Sequence, residues 1–180
     1  MTTDGLSLGR DTLRALRQSL LAHAPDHAIG ILQEAGYTSG EGMFRLFSDW
    51  LRTQHGLDGP EELDAARLND VLSDFFQSHG WGSIVITPLG GGALALDSPD
   101  WTEADPGTAD SPMCFFSAGM LADFLGRLAS EPVAVMEVEC RSRNDGRCRF
   151  LSAAPETLDR VYEEMNAGRS YEEALSAGPR

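Results

Sequence analysis

Apolar side chains recur at helical spacing along residues 1–80. Leu13, Leu16 and Leu20 lie three and four positions apart behind Asp11, a residue type that can cap a helix. Further segments with helical spacing are 26–35, 44–51 and 61–78. The second predicted helix should end at Gly36, because glycine is a common helix terminator. We therefore predict that the first part of the chain is helical.

After residue 80 the periodicity changes, and short β-branched or alternating runs indicate strands. The predicted strands are 82–87, 93–96, 133–139 and 147–151. A helix at 115–130 separates the two strand pairs, and a closing helix begins at Pro155. Ser170 followed by Glu173 is a capping-box pattern that predicts one last short helix. This order predicts an α+β fold with a four-stranded, mostly antiparallel sheet packed with helices.

Two segments near the middle of the chain carry weaker patterns. Residues 98–112 contain three prolines and several acidic residues, so we predict a flexible loop. In the helix that follows, Gly119, Ala122 and Gly126 form a stripe of small residues. Such a stripe lets a second backbone or a ligand come close, and ordinary helix packing would use it in the same way.

The chain of 180 residues is long enough for one domain with a core, and its formal net charge is -14. This acidity disfavours binding to nucleic acid or to anionic membranes, which both select basic surfaces. No apolar run approaches the ~20 residues of a membrane span, and the first residues lack a secretion-signal pattern. We therefore expect a cytoplasmic protein with reduced thiols.

Two of the three cysteines lie in the arginine-rich stretch EVECRSRNDGRCRF, residues 137–150. A two-residue turn at Asp145 and Gly146 would place Cys140 and Cys148 on opposite faces of a hairpin, because side chains alternate along strands. A three-residue loop beginning at Asn144 would put both thiols on one face. The pattern permits a disulfide, two inert buried thiols or a metal site, and it does not decide among them.

A metal site would need further ligands, because structural zinc takes about four. Cys114 precedes the helix that leads back to the hairpin, and Glu137 or Glu139 could supply a carboxylate. Three thiolates and a carboxylate around zinc would leave an anionic site. The hairpin arginines could offset that charge, or they could form the solvated face of an edge strand. These residues are Arg141, Arg143, Arg147 and Arg149.

Four stretches of the second half carry a family pattern: FFQSHGWGSIVI, LALDSPDW, MCFFSAGMLADFLGRL and VAVMEVECRSRNDGRCRF. Over about residues 74–150 they resemble the 4-vinyl reductase family of small-molecule-binding domains. That family includes the sensory domains of phenol- and xylene-responsive activators. Its fold is related to TRAPP subunits and to haem-based nitric-oxide sensors. The most specific part is a cysteine before the helix, then E-x-x-C, then seven residues and a last cysteine.

The resemblance implies a structural zinc ion held by Cys114, Glu137, Cys140 and Cys148, with Glu139 as the alternative carboxylate. Glu137 and Cys140 are three positions apart, so a regular strand would point them to opposite faces. A bulge or a strand end must therefore intervene if both are ligands.

The resemblance also implies a homodimer and an enclosed, mostly apolar pocket beside the sheet. His79 and Trp81, at the corner between a helix and a strand, are the first choice for a polar handle on a ligand. We expect most of the candidate lining residues to build core. The candidates are Phe44, Phe47, Trp50, Phe75, Phe76, His79, Trp81, Ile84, Trp101 and Phe116.

We therefore interpret 1–180 as one ligand-binding domain of the 4-vinyl reductase type, with a helical part (1–80) and a sheet and zinc-hairpin part (81–180). We expect a non-catalytic module that binds a small hydrophobic molecule, aromatic or lipid-like, and a partner protein that reads the bound state. The alternatives are an accessory role in vinyl reduction of tetrapyrroles such as bacteriochlorophyll and a TRAPP-like scaffold. We expect no haem, because the tyrosines lack a Y-x-S-x-R context, and no nucleotide, because no dinucleotide fingerprint occurs.

Overall fold

A computed structural model describes residues 8–177. Its helices are α1 (Arg10–His23), α2 (Pro25–His55), α3 (Leu68–Ser78), α4 (Phe115–Ala129), α5 (Pro155–Asn166) and α6 (Tyr171–Ser176). Its strands are β1 (Val85–Pro88), β2 (Leu94–Ser98), β3 (Ala134–Glu139) and β4 (Cys148–Ala153). The strands form one sheet in the order β1-β2-β4-β3, and all neighbours are antiparallel. The predicted α+β fold with a four-stranded antiparallel sheet is thus confirmed.

The long helix α2 joins two segments that the sequence predicts as separate helices. Gly36 is buried within α2 at the crossing with α4, where an added Cβ would collide with the carbonyl oxygen of Phe116. Gly119 of α4 is its counterpart, because a Cβ there would collide with the carbonyl oxygen of Gln33. The predicted helix end at Gly36 is therefore wrong. Both glycines serve a close helix crossing, which is also the use that the structure gives to Gly119 in the small-residue stripe.

The sheet lies between two layers of helices, each with its own apolar cluster. On one face α2, α3 and α4 cover the larger cluster, which includes Phe47, Phe75, Phe124 and Phe150. On the other face α5 and α6 cover a smaller cluster, which includes Leu151, Leu158, Val161 and Leu175. The predicted capping box of Ser170 and Glu173 is present at the start of α6. The larger cluster positions the residues of the candidate site.

The connection from β2 to α4 is partly built into the core. Trp101, Glu103 and Ala104 are each about 1% exposed. The buried Arg17 of α1 donates hydrogen bonds from Nη1 to the carbonyl oxygens of Glu103, at 2.8 Å, and Met113, at 3.2 Å. The expected flexible loop at 98–112 is therefore wrong for its first part, because a buried tryptophan and a buried arginine fix it.

Candidate functional site

Three cysteines and one glutamate from separate parts of the chain meet in one cluster, here called the Cys3Glu cluster. Cys114 precedes α4, Glu137 lies in β3, Cys140 follows β3 and Cys148 begins β4. One ligand atom of each residue lies within 4.8 Å of those of the others, and the three cysteines are buried. The Sγ atoms of Cys114 and Cys140 are 3.9 Å apart, and all three cysteines are free thiols. The structure thus brings together the four residues that the family resemblance implies as metal ligands.

A β-bulge brings Glu137 and Cys140 to the same cluster. The register of β3 against β4 shifts between Glu137 and Glu139, which is the irregularity that the E-x-x-C spacing predicts. Glu139 lies outside the cluster. Its carboxylate accepts hydrogen bonds from Arg147, at 2.9 Å, and from the Tyr171 hydroxyl, at 2.6 Å. Of the two candidate carboxylates, the structure therefore places Glu137 with the thiols.

The carboxylate of Glu137 is placed as a metal ligand would be. Its Oε2 accepts hydrogen bonds from the main-chain N–H groups of Met113, at 3.0 Å, and Cys114, at 2.8 Å. Its Oε1 is buried and has no hydrogen-bond partner among the described residues. A buried carboxylate oxygen without a partner is costly, and a cation among the thiols would satisfy it. Three sulfur donors and one oxygen donor are a set that fits zinc.

Burial disfavours negative charge on the cluster alone. It raises the pKa of the Cys114 thiol, and together with charge on Cys140 it raises the pKa of Glu137 to about 8. The pKa of Cys140 is lowered, because the thiols of Cys114 and Cys148 donate to its sulfur. The protein groups alone thus favour one thiolate with protonated neighbours. Binding of a cation would displace the remaining protons.

The hairpin arginines turn to acidic partners instead of the thiols. The closest pairs are Arg143 with Asp145 at 2.8 Å, Arg147 with Glu139 at 2.9 Å and Arg149 with Asp97 at 2.6 Å. The interpretation that these arginines offset the charge of the thiolates is therefore wrong for these three. Compensation of several thiolates would have to come from a bound cation.

A second buried carboxylate, which the sequence analysis missed, holds the first turn of α4. Glu103 accepts hydrogen bonds from the N–H groups of Phe116, at 3.2 Å, and Ser117, at 2.7 Å, and from the Ser117 hydroxyl. Ser117 in turn accepts a hydrogen bond from Nε1 of Trp101 at 2.8 Å. Burial raises the pKa of Glu103, against the opposing effects of Ser117 and Arg17. Nothing in the sequence distinguishes this glutamate from the other acids of its loop.

A cleft of about 480 Å³ borders the same turn of α4 at Phe116. Its apolar lining includes Leu13 and Leu16 of α1 and Met43 and Leu46 of α2. The sequence analysis missed these four residues, because their spacing indicates only amphipathic helices. The cleft has the size of a pocket for a small organic molecule.

His79 is held in one tautomer at the wall of this cleft. Its Nδ1 lies 2.7 Å from the carbonyl oxygen of Phe75, which can only accept, so Nδ1 carries the proton. In the neutral ring Nε2 is then an acceptor. Beside it, the ring of Trp81 stacks on Phe116 at an interplanar angle of 5° and a centroid distance of 6.2 Å. The cleft therefore combines aromatic walls with a fixed hydrogen-bond acceptor.

The structure divides the ten predicted pocket residues between cleft and core. His79, Trp81 and Phe116 line the cleft. The fully buried members are Phe47, Phe75, Phe76, Ile84 and Trp101, and the members packed at the edge of the core are Phe44 and Trp50. Most of the candidates thus build core, as we expect for aromatic side chains.

Comparison with known proteins gives a family match for part of the chain. Residues 100–152 match the 4-vinyl reductase domain, which confirms the resemblance seen in the sequence and includes the whole Cys3Glu cluster. Uncharacterized protein MJ0745 of Methanocaldococcus jannaschii is 26% identical over 95 residues, which cover 53% of this chain and 51% of that protein. The chain thus spans about half the length of the curated relative that it matches.

Two solved structures share the fold. The phenol-responsive sensory domain of the transcription activator PoxR, crystallised with phenol, gives a TM-score of 0.65 at 19% identity, covering 84% of this chain and 77% of that one. Trafficking protein particle complex subunit 3 from Naegleria fowleri, covalently bound to palmitic acid, gives 0.59 at 13% identity, covering 80% and 91%. At these identities the likeness shows a common fold. None of the helices within residues 8–177 has the length and apolar character that a membrane span requires.

Proposed function

We propose that the chain is a non-catalytic module that senses a small, mostly apolar molecule in the cleft and carries a structural zinc ion in the Cys3Glu cluster. The observation that carries this proposal is the first turn of α4. Cys114, directly before the helix, belongs to the cluster, and Phe116 lines the cleft. The fold shared with the PoxR sensory domain, crystallised with phenol, supports ligand binding as a use of this architecture.

The fixed acceptor on His79 selects the polar group of the ligand. A neutral hydroxyl can donate to Nε2, whereas a carboxylate has no proton to donate and meets a chain with a net charge of -14. The stacked rings of Trp81 and Phe116 favour an aromatic body. We therefore propose a neutral aromatic alcohol of the phenol class in preference to a fatty acid.

The zinc ion, when bound, supplies the positive charge that keeps three thiolates and a carboxylate together. The chain provides the connections. Glu137 holds the N–H groups of Met113 and Cys114 and so ties β3 to the start of α4. Ser142 donates its N–H to the sulfur of Cys140 at 3.4 Å, which fixes the turn of the hairpin. A shift of the first turn of α4 on ligand binding would thus reach the hairpin surface that a partner could read.

The homodimer, the cytoplasmic location and the partner protein remain predictions. Sedimentation of the metal-loaded protein over a range of concentrations tests the dimer. A monomer at every concentration would contradict that prediction without bearing on the cleft.

The test of the ligand proposal is thermal unfolding of the metal-loaded protein with a panel of probes. The panel contains phenol, 4-methylphenol, toluene, benzoate, palmitate and a vinyl-bearing porphyrin. A ligand that binds the native state raises Tm in a saturable way. We expect the two phenols to give the largest shifts, because they combine an aromatic body with a donor. A panel without any shift would contradict the proposal, and a shift with the porphyrin alone would favour the tetrapyrrole alternative.

A pair of histidine variants shows whether the cleft is responsible. His79→Phe removes the acceptor, and we expect the preference for phenol over toluene to fall by about 2- to 10-fold, the effect of one hydrogen bond. The control is His55→Phe, because His55 packs on Trp50 and is not among the residues that line the cleft. Equal effects of the two variants would show that the phenols bind elsewhere.

A further inference from the structure

The two edges of the sheet are treated differently. At β1, side chains of the neighbouring α3 region cover main-chain N–H groups that face away from the sheet. Asn69 Oδ1 accepts a hydrogen bond from the N–H of Ile86 at 2.8 Å, and Ser73 Oγ accepts one from the N–H of Ile84 at 3.1 Å. Such coverage blocks the addition of another strand. The β1 edge is therefore closed.

The β3 edge has no comparable cover in the part of the chain that the structure describes. Ala134, Val135 and Met136 pair with β4 on one side. No other described residue forms a hydrogen bond with their main-chain groups. In an antiparallel edge strand, alternate residues direct both their N–H and C=O groups outward. This edge is thus able to accept an additional strand.

A groove of about 370 Å³ lies beside the open edge. Residues 133–135 form one wall, and the exposed Glu34 and Tyr37 of α2 form the other. Its floor is apolar and includes Ala118 and Ala122 of α4. The lining residues include none from the Cys3Glu cluster and none from the cleft. An extended segment on β3 could therefore place alternate side chains in this groove.

Charge decides what kind of segment fits. Glu34 is the charged residue of the groove lining, and the whole chain has a net charge of -14. A second copy added edge to edge would bring another acidic wall and the same net charge, which repel. A segment with lysine or arginine would be attracted. Charge complementarity thus favours a basic partner over self-association at this edge.

We propose that β3 and its groove bind an extended, basic segment of a partner protein, which adds to the sheet as a further strand. Alternate apolar side chains of the segment lie in the groove, and intervening lysine or arginine side chains lie near Glu34. Main-chain hydrogen bonds supply affinity, and the groove and Glu34 supply selectivity. This surface makes the chain a docking module independently of what occupies the cleft.

Selection from a library of random decapeptides on the metal-loaded chain tests the proposal. We expect enriched peptides to carry lysine or arginine at alternate positions, with small or β-branched apolar residues between them. The bound peptides should slow amide hydrogen exchange of residues 134–136. The absence of enrichment, enrichment of acidic peptides, or protection elsewhere with no change in β3 would overturn the proposal.

Two charge-reversing variants at exposed positions provide the matched comparison. Glu34→Arg changes the groove wall, whereas Glu163→Arg makes the same change on α5, in the opposite layer. We expect Glu34→Arg to weaken binding of the enriched peptides by about tenfold or more and Glu163→Arg to leave it nearly unchanged. Equal losses would indicate non-specific attraction and overturn the site. Concentration-dependent protection of β3 in the protein alone would identify a second copy as the occupant, which also overturns the proposal.

Discussion

At the scale of single residues, Glu137 is the carboxylate on which the proposed metal site depends. One of its oxygens holds two main-chain N–H groups, and the other is buried without a partner among the described residues. Glu137→Gln keeps an oxygen for the N–H groups but removes the negative charge. Loss of a partner behind a ligand typically weakens metal binding by about 10- to 100-fold, so loss of the ligand itself should cost at least about tenfold. Competition with a chromophoric zinc chelator measures this affinity.

Glu139→Gln is the matched control for this prediction. Glu139 is two positions away, but its carboxylate bonds to Arg147 and Tyr171 outside the cluster. We therefore expect its zinc affinity to equal that of the unmodified chain. A similar loss in both variants would mean that the effect is a general disturbance of β3, and a loss only in Glu139→Gln would reverse the assignment.

Ser117 is a second residue whose role can be measured, because its hydroxyl links two buried groups. It accepts a hydrogen bond from the indole of Trp101 and donates one to Glu103. Ser117→Ala should lower the free energy of unfolding by about 1–3 kcal/mol, the typical cost of leaving buried polar groups unpaired. Urea denaturation measures the change. Ser48→Ala is the control, because the Ser48 hydroxyl bonds to the carbonyl of Phe44 within its own helix, and we expect a change of less than about 0.5 kcal/mol.

At the scale of elements, the crossing of α2 and α4 rests on glycines that pack backbone against backbone. Gly36→Ala would force the helices apart at Phe116, and we expect it to lower the free energy of unfolding by about 1–3 kcal/mol or more, as overpacking does. Gly42→Ala, on an exposed part of the same helix with open space around it, should instead raise stability by up to about 1 kcal/mol through helix propensity. Denaturant midpoints of the two variants should therefore move in opposite directions.

The same crossing shows why the sequence predicts some elements and not others. Strand pairs and α4 follow from local periodicity, and their positions are correct within a few residues. Gly36 carries the same local signal whether it ends a helix or lets a second helix approach, so only the tertiary contact distinguishes the two. The fusion of two predicted helices into α2 therefore could not be seen in the sequence.

The two candidate sites differ in predictability for a related reason. The cysteines and Glu137 form a spaced pattern in which each residue type has few other uses, so the pattern indicates their meeting. The cleft combines α1 with the corner after α3, and its lining residues Leu13 and Met43 look like any helix core position. Among the polar and aromatic candidates, His79 and Trp81 could be singled out because they flank that corner. The cleft thus depends on how distant helices pack, which periodicity does not encode.

At the scale of the whole molecule, α4 passes through every site discussed. It begins beside the Cys3Glu cluster, borders the cleft at Phe116, crosses α2 at Gly119 and forms part of the floor of the β3 groove at Ala122. Its first turn is held by two buried glutamates, Glu103 and Glu137. A disturbance of that turn should therefore reach both the hairpin and the cleft, whereas the close crossing with α2 should resist it.

Removal of the metal from the whole protein tests this division. Chelation would leave several thiols and a buried carboxylate without a cation, so we expect faster amide hydrogen exchange in 113–117 and 140–148. These segments are distant in sequence and are joined through the cluster. Amides of α2 near Gly36 and of the β1–β2 pair should keep their protection, because the apolar core holds them. Tm should fall as well, since a ligand of the native state stabilises by about 4 kcal/mol at 1,000 times its Kd.

Hydrogen exchange followed by mass spectrometry resolves this pattern by segment. Glu137→Gln should show the faster exchange before chelation and respond little to the chelator, because it already binds zinc weakly. Uniform loss of protection along the chain would instead mean that the metal holds the entire fold together. Unchanged exchange in both segments would mean that the cluster is a set of inert buried thiols. Only loss confined to the two segments agrees with a metal that joins the hairpin to the first turn of α4.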